Sequence, residues 1–340
     1  MPQLPTSTIG NTGVEVTQLG FGAAPLGELF HRVTGEQSDA ILRAAWDAGI
    51  RYYDTAPFYG HGKSEHRVGH VLQDMPRGEF ALSTKVGRVL TPAKGDNFTS
   101  KFWEHPLPFD FYYDYTYDGI MRSFEGSMQR LGMNRADLLM IHDLDMWFNE
   151  TEARVRAWLS QLFTSGWRAL EELKAAGDIR GIGAGINELG MITHFAEYVD
   201  LDCAIVAMPY TLLDQETLDK EFALCEKNGV GIIVGAPFSS GILATGPVEG
   251  AYYKYAPATP EILEKTGRIQ AICERHHVTL AAAAMQFPLY HPVVNAIIPG
   301  AQATEHIESN AAQFVVDIPK DVWSELKHEG LIREDAPTPQ

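Results

Sequence analysis

Cysteine is scarce in this chain of 340 residues: Cys203, Cys225 and Cys273 stand far apart, with no CxxC pair and no histidine at ligand spacing. That scarcity excludes a disulfide framework and argues against a structural zinc site, so no metal is expected. Positive charge is also short, 27 Lys+Arg against 44 Asp+Glu, for a net charge of −17. A nucleic acid or an anionic membrane needs a basic field, and neither is expected as a partner. No apolar run reaches membrane-spanning length, and the stretch 1–6 lacks the basic and apolar regions of a secretory leader, so a cytoplasmic protein is expected. No GxGxxG follows the first strand, which counts against an open, doubly wound sheet.

What remains is an ordinary globular composition, 45% hydrophobic and 21% charged, ample for a sizeable core. Turn residues at 9–14 between short apolar segments predict an N-terminal hairpin. Strands are then expected at 18–21, 51–54, 80–85, 138–142, 179–184, 203–208, 231–234 and 294–298. Helices between them are expected at 34–48, 64–72, 118–131, 165–176, 188–198, 217–228, 260–276 with 279–289, and 304–314, and a last one at 321–329. Eight strand–helix units in regular alternation point to one (β/α)8 barrel domain over residues 1–340. Long connections follow strands 3, 4 and 7, at residues 86–116, 143–164 and 235–259. The first shows no clear periodicity but is loaded with aromatics: Phe98, Phe102, Trp103, Phe109, Phe111, Tyr112, Tyr113 and Tyr115. In a barrel all three would share one rim, where such folds place their chemistry.

Four proton-active residues fall at that rim. Asp54 closes strand 2, Lys85 strand 3 and His142 strand 4, and Tyr59 follows Asp54 by five residues in a loop bounded by Pro57 and Gly60. Singly, each has a plain reading: a lysine snorkelling to water, an aspartate capping a loop, a packed tyrosine, a hydrogen-bonded histidine. Jointly they suit one task. A free phenol has a pKa of about 10, too high for a base near neutrality. A nearby ammonium would lower it, a carboxylate would hold the ammonium, and the histidine would hydrogen-bond the reacting oxygen. Such a set moves a proton at a carbinol or carbonyl oxygen and needs a separate hydride carrier.

Several segments give this chain a recognisable likeness. They are Leu19-Gly20-Phe21-Gly22, Tyr53-Asp54-Thr55-Ala56-Pro57-Phe58-Tyr59-Gly60, Ser83-Thr84-Lys85, Leu131-Gly132-Met133-Asn134-Arg135-Ala136-Asp137-Leu138, Ile141-His142 and Ile298-Pro299-Gly300-Ala301. On these the sequence resembles the aldo-keto reductase superfamily over nearly its whole length. The resemblance implies a (β/α)8 barrel binding a nicotinamide cofactor, with Tyr59 as acid/base, Lys85 and Asp54 tuning it, and His142 orienting the substrate. It implies cofactor contacts from Asn187, Phe238, Ser240, Gly300, Gln302, His306 and Asn310, and substrate contacts from Phe58, Trp103 and Trp147. The chain departs from the family's pattern at three strand ends. Gly185 stands where a serine is frequent, with Asn187 one position late. Ala207 replaces a glutamine, and Gly235 an aromatic whose face Phe238 could replace.

These departures, with Pro106-Leu107-Pro108-Phe109-Asp110-Phe111 and Ile141-His142-Asp143-Leu144-Asp145, resemble a branch of dehydrogenases acting on D-threo-aldoses, L-fucose, L-galactose and pyridoxal. Those substrates are cyclic hemiacetals oxidised to lactones at the anomeric or equivalent carbon, so an aldose such as L-fucose, D-arabinose or L-galactose is the expected substrate, with a pyridoxal-like molecule as the first alternative. The aromatics of 98–115 suit a platform for it, or simply cover the barrel mouth. A general aldehyde reductase and a non-catalytic binding subunit are the alternatives. Residues 299–310 hold no Lys or Arg and carry Glu305 and Glu308. Gly300 and His306 stand where NADP-using relatives place a lysine and an arginine. NAD is therefore the expected cofactor, with NADP possible if another loop supplies a cation or His306 is protonated.

Overall fold

Helix boundaries follow from local chemistry. The helix Gly35–Asp47 starts on a capping box, in which Thr34 accepts from the Gln37 amide and Gln37 reaches back. It buries Ile41, Leu42 and Ala45 as one stripe and gives way to Gly49, whose φ of 89° suits glycine. Tyr117–Leu131 is capped by Thr116 and stopped by Gly132 at φ 65°. The strands read differently: Leu138–His142 is buried at every position, as expected of a parallel strand covered on both faces.

The computed structural model describes residues 3–95 and 97–339. Its main sheet holds eight strands: β1 (Phe21–Gly22), β2 (Tyr52–Asp54), β3 (Ala81–Val86), β4 (Leu138–His142), β5 (Gly181–Ile186), β6 (Cys203–Val206), β7 (Gly231–Gly235) and β8 (Val294–Ile298). Each pairs with the next in parallel register. The ends join as well. Gly20 N donates to Ile297 O at 2.8 Å, and Ile297 N donates to Gln18 O at 2.8 Å. The sheet is therefore a closed (β/α)8 barrel.

The expected N-terminal hairpin is present, Thr6–Thr8 antiparallel to Glu15–Thr17. Its Ile9, Val14 and Val16 pack inside the barrel with Tyr52, Leu138, Met140, Ile205, Ile233 and Ile298. A second, larger cluster fills the layer between strands and helices. All three cysteines are buried and free. Among the described residues, no helix is long and apolar enough to cross a membrane.

The rim departs from expectation. Residues 86–116, expected to lack periodicity, contain an antiparallel hairpin of Arg88–Pro92 with Phe109–Tyr113. Its second strand does alternate in burial, but aromatics on both faces hide the period of two. The connection after β4 forms helices at Met146–Asn149 and Glu152–Gln161. The latter runs through a wider turn at Leu162–Gly166 into Trp167–Ala176, so this helix starts well before the expected residue 165. The segment after β7 forms a small hairpin, Tyr252–Tyr253 with Ala256–Pro257.

Candidate active site

The parallel register sets the ends of β2, β3 and β4 side by side, and their side chains meet. Lys85 Nζ donates to Asp54 Oδ2 at 2.6 Å and to the Thr55 carbonyl at 2.9 Å. Ser83 Oγ donates to Asp54 Oδ1 at 2.6 Å, which leaves the Tyr52 hydroxyl to donate to Ser83 at 3.0 Å. Asp54 and Lys85 are each 2% exposed, so neither is a surface charge and the snorkelling reading of Lys85 fails. Tyr59 is held above them where two loops touch. A Cβ on Gly27 would lie 2.6 Å from the Gly60 amide and the Tyr59 carbonyl carbon, so only glycine permits this approach. The Lys85 ammonium lies 4.7 Å from the centre of the Tyr59 ring, and the His142 ring stands edge-on to that ring at 5.7 Å.

The electrostatics differ from expectation in one respect. Burial pushes the Tyr59 phenol well above its ordinary value, and the charges of Asp54 and Asp143 add to the rise against a counterweight from Arg88. The Lys85 charge near the phenol is matched by Asp54 at contact distance. His142 is pushed well below its usual value by burial, then by Arg88 and Lys85, and is neutral.

Two neighbours of His142 had no assigned role. Asp143 Oδ2 lies 3.2 Å from His142 Nε2 and 2.9 Å from Arg88 Nη1. Arg88, carried by the hairpin after β3, is 1% exposed. Asp143 was visible in the sequence as the residue following the strand-end histidine, but nothing local marks its partner. The ion pair joins two loops 55 positions apart. Asn187 donates through Nδ2 to Asp143 Oδ1 at 2.9 Å and to Asp145 Oδ2 at 3.1 Å. Its amide nitrogen is thus spent on carboxylates, leaving its Oδ1 for a ligand.

These groups open into a cavity that continues into open solvent at the barrel mouth. The walls are aromatic: Phe58, Phe102, Trp103, Trp147, Phe148 and Tyr255. The three expected substrate contacts, Phe58, Trp103 and Trp147, are all among them. Between Ile186 and Ile205 the cavity lining is reduced to Gly185 and Ala207. A Cβ on Gly185 would meet Lys85 Cε at 3.5 Å and His142 Cδ2 at 3.8 Å, and one on Gly235 would meet Ile205 and the Ala207 backbone. Gly185 and Ala207 therefore leave room in the cavity beside Tyr59 and His142.

The expected cofactor residues are placed less uniformly. Phe238 does not line the cavity but packs against the outer core. The aromatic at the cavity wall is Tyr255, at the tip of the small hairpin, and its amide donates to Ser240 Oγ at 3.0 Å. Nothing in the sequence separated Tyr255 from the other twelve tyrosines. Gly300, Gln302, His306 and Asn310 lie beyond β8 and do not line the cavity. The helix Thr304–Phe314 opens here with no side-chain cap on its first amides, which suits an anionic group. Asn310 is buried, while Glu305, His306 and Glu308 are exposed.

Comparison with known proteins agrees with this geometry. The aldo/keto reductase family matches residues 18–329. A pyridoxal 4-dehydrogenase from Microbacterium luteolum is 43% identical over 334 residues, covering 95% of this chain and 97% of the relative. A D-threo-aldose 1-dehydrogenase from a Pseudomonas species is 38% identical, covering 96% and 97%. A solved aldo-keto reductase from Bacillus halodurans shares the fold with a TM-score of 0.75 at 21% identity, covering 97% of each chain.

Proposed function

Because this chain belongs to the aldo/keto reductase family, we propose that it oxidises a cyclic hemiacetal to a lactone with a nicotinamide cofactor, and that the hemiacetal is of the pyridoxal kind. The carrying observation is the division of the cavity. Its hydrogen-bonding side chains, Tyr59, Lys85, His142, Asp143 and Asn187, gather at the strand ends, while its walls are aromatic. A flat heteroaromatic ring stacks on such walls. An aldose carries a hydroxyl on nearly every carbon, and each loses hydration on entry without a matching partner on the aromatic side. The 43% identity to a pyridoxal 4-dehydrogenase supports the same choice.

The chain's residues take the following parts. When bound, the cofactor supplies the hydride acceptor that no side chain here provides. The lining at Gly185 and Ala207, the Tyr255 ring, Asn187 Oδ1 and the loop at 299–310 would hold it. Tyr59 takes the proton of the hemiacetal hydroxyl as the carbon below loses hydride. Lys85, anchored by Asp54 and the Thr55 carbonyl, sets a positive charge beneath the phenol as it changes ionisation. Neutral His142 donates to the same oxygen and holds it against Tyr59. Phe58, Phe102 and Trp103 keep water from the reacting face.

The test is a panel of pyridoxal, L-fucose, D-arabinose and L-galactose with NAD, read as initial rates with lactone identified by mass. Pyridoxal should lead the aldoses by at least about tenfold in kcat/KM, about 1.4 kcal/mol. An aldose in the lead would overturn the pyridoxal assignment and favour the sugar reading, which the 38% identical relative supports. No lactone from any of them would overturn the hemiacetal reading.

A further inference from the structure

Five hydrogen-bonding side chains gather at the strand ends of the cavity, and four of them have a task. Lys85 is taken up by Asp54 and the Thr55 carbonyl. Tyr59 and His142 serve the reacting oxygen under the proposed chemistry. Asn187 gives its amide nitrogen to Asp143 and Asp145, and its Oδ1 is assigned to the cofactor. The fifth, Asp143, lines the same cavity and has no part in the transfer of proton or hydride.

Asp143 is a costly residue to keep there. Its side chain is 8% exposed, and its counter-charge Arg88 is buried with the guanidinium 4.4 Å from the ring centre of Phe58 and 5.1 Å from that of Phe148. A buried ion pair seldom adds stability over an apolar pair of the same volume, because both charges lose their water. Asp143 also holds a backbone φ of 47°, a left-handed conformation unfavourable for a residue with a Cβ. Strain of that kind persists where the surroundings over-determine it, and it concentrates at ligand sites. Here Asp143 N donates to the Gly185 carbonyl at 2.9 Å, and Asn187 Nδ2 donates to Oδ1 at 2.9 Å.

The outcome is a fixed acceptor at the cavity wall. Burial pushes the Asp143 carboxyl up to about 6, against the pull of Arg88, so at pH 8 it is ionised. An ionised carboxylate has roughly four acceptor sites. Asn187 fills one and Arg88 Nη1 lies 2.9 Å from Oδ2, so acceptor capacity remains. Arg88 does not line the cavity, and a ligand there meets the carboxylate rather than the cation.

We propose that Asp143 is a specificity-determining residue whose carboxylate accepts a hydrogen bond from a substrate hydroxyl flanking the reacting carbon. Its place follows from its neighbour. His142 marks where the reacting oxygen goes, and Asp143 Oδ2 lies 3.2 Å from His142 Nε2, within reach of a group on the adjoining skeleton of the substrate. An aldose carries such a hydroxyl on C2, and pyridoxal carries one on the ring carbon beside that bearing the formyl group. The inference rests on the hemiacetal reading and not on the choice of pyridoxal. Hemiacetals without a flanking hydroxyl leave the buried carboxylate under-satisfied and bind less well.

The test is the binding of product-like lactones to the full chain with NADH bound, by calorimetry at pH 8. The probes are phthalide, 7-hydroxyphthalide and 7-fluorophthalide, in which position 7 flanks the lactone carbonyl carbon. None has a ring nitrogen, and an unperturbed phenol, with a pKa of about 10, keeps its proton at this pH. In the wild type the hydroxyl should tighten Kd by at least about tenfold over phthalide, the scale of a hydrogen bond to a charged group. Fluorine, close in size but no donor, should give no gain. The variant Arg88→Met/Asp143→Gly removes both charges and places glycine at the left-handed position. It should bring the Kd ratio of the two lactones to within about twofold of one.

A purely structural role for Asp143 would weaken phthalide and 7-hydroxyphthalide alike and leave their ratio at the wild-type value, which overturns the proposal. If the double variant fails to fold, the wild-type series decides. A hydroxyl no better than hydrogen, a fluorine as good as the hydroxyl, or no binding by 7-hydroxyphthalide overturns it. Oxidation of the parent lactol, 1,3-dihydro-2-benzofuran-1-ol, with NAD reports separately on the hemiacetal reading. Turnover without a hydroxyl preference in binding sinks the role of Asp143 alone, and a hydroxyl preference without turnover sinks the hemiacetal reading alone.

Discussion

At the residue scale, the proposed proton transfer turns on Tyr59. Its phenol is raised by burial and by the carboxylates of Asp54 and Asp143, so in the unliganded protein it is a proton donor through the neutral range. Tyr59→Phe should cost about a hundred- to ten-thousandfold in kcat, the usual worth of an acid–base group, with cofactor affinity changed by no more than a few-fold. A variant keeping half its turnover would remove Tyr59 from proton transfer. The raised value has a sign that can be checked. In the cofactor-free protein, the tyrosinate absorbance of wild type minus Tyr59→Phe should show no titration below about pH 10. The rate of oxidation should keep climbing with pH up to that range, because only the ionised phenol accepts the proton. A phenolate titrating below pH 9 that disappears in Tyr59→Phe would show that Lys85 prevails over burial after all.

At the scale of elements, the aromatic wall depends on a clasp. Glu28 sits in a left-handed conformation at φ 69° after β1 and is 3% exposed. It binds Lys63 at 3.0 Å and Arg67 at 2.9 Å from the helix Lys63–Leu72, and His105 at 3.0 Å from the segment bearing Phe102 and Trp103. That segment also bridges to the body through Leu29 and Trp103, and through Phe30 N donating to the Phe102 carbonyl. Burial alone would raise the Glu28 carboxyl, but Lys63 and Arg67 hold it below its ordinary value. A lowered folded value means the clasp stabilises the protein above the unfolded carboxylate range and loses that contribution as pH falls through the folded value. Glu28→Gln should cost about 1–3 kcal/mol in urea unfolding, by leaving two partly buried cations under-satisfied. In kinetics it should raise the substrate KM with kcat little changed, since it loosens binding and leaves the proton-transfer groups in place. A drop in kcat at constant KM would place Glu28 in the reaction centre instead.

For the whole molecule, charge and its distribution bear on cofactor choice. The net charge of −17 is far from the basic field that draws in an extra phosphate. At the rim beyond β8, residues 299–310 hold no Lys or Arg, Glu305 and Glu308 are exposed, and His306 accepts from the Gln302 amide through Nδ1 at 3.3 Å. NAD should therefore exceed NADP by at least about tenfold in kcat/KM, about 1.4 kcal/mol of discrimination. Parallel initial rates at pH 8 decide this, and a clear NADP preference there would refute it.

How much of this was legible beforehand depends on the range of the interaction. Eight strand–helix units, the hairpin at 9–14 and the barrel follow from periods of two and 3.6 and from local caps, all written within a few residues of each other. Asp54, Lys85 and His142 were readable because a strand end is a position, and parallel pairing brings neighbouring strand ends together. The hairpin within 86–116 was not readable, since aromatics on both of its faces erase the alternation that marks a strand. The Arg88–Asp143 pair, the turning of Asn187 toward two carboxylates, Tyr255 in place of Phe238 at the wall and the Glu28 clasp all join loops distant in sequence. No local pattern encodes such meetings. They arise because barrel closure sets eight loops on one rim, where burial makes each charge find a partner, and the partner chosen is whichever side chain the closed barrel brings within reach.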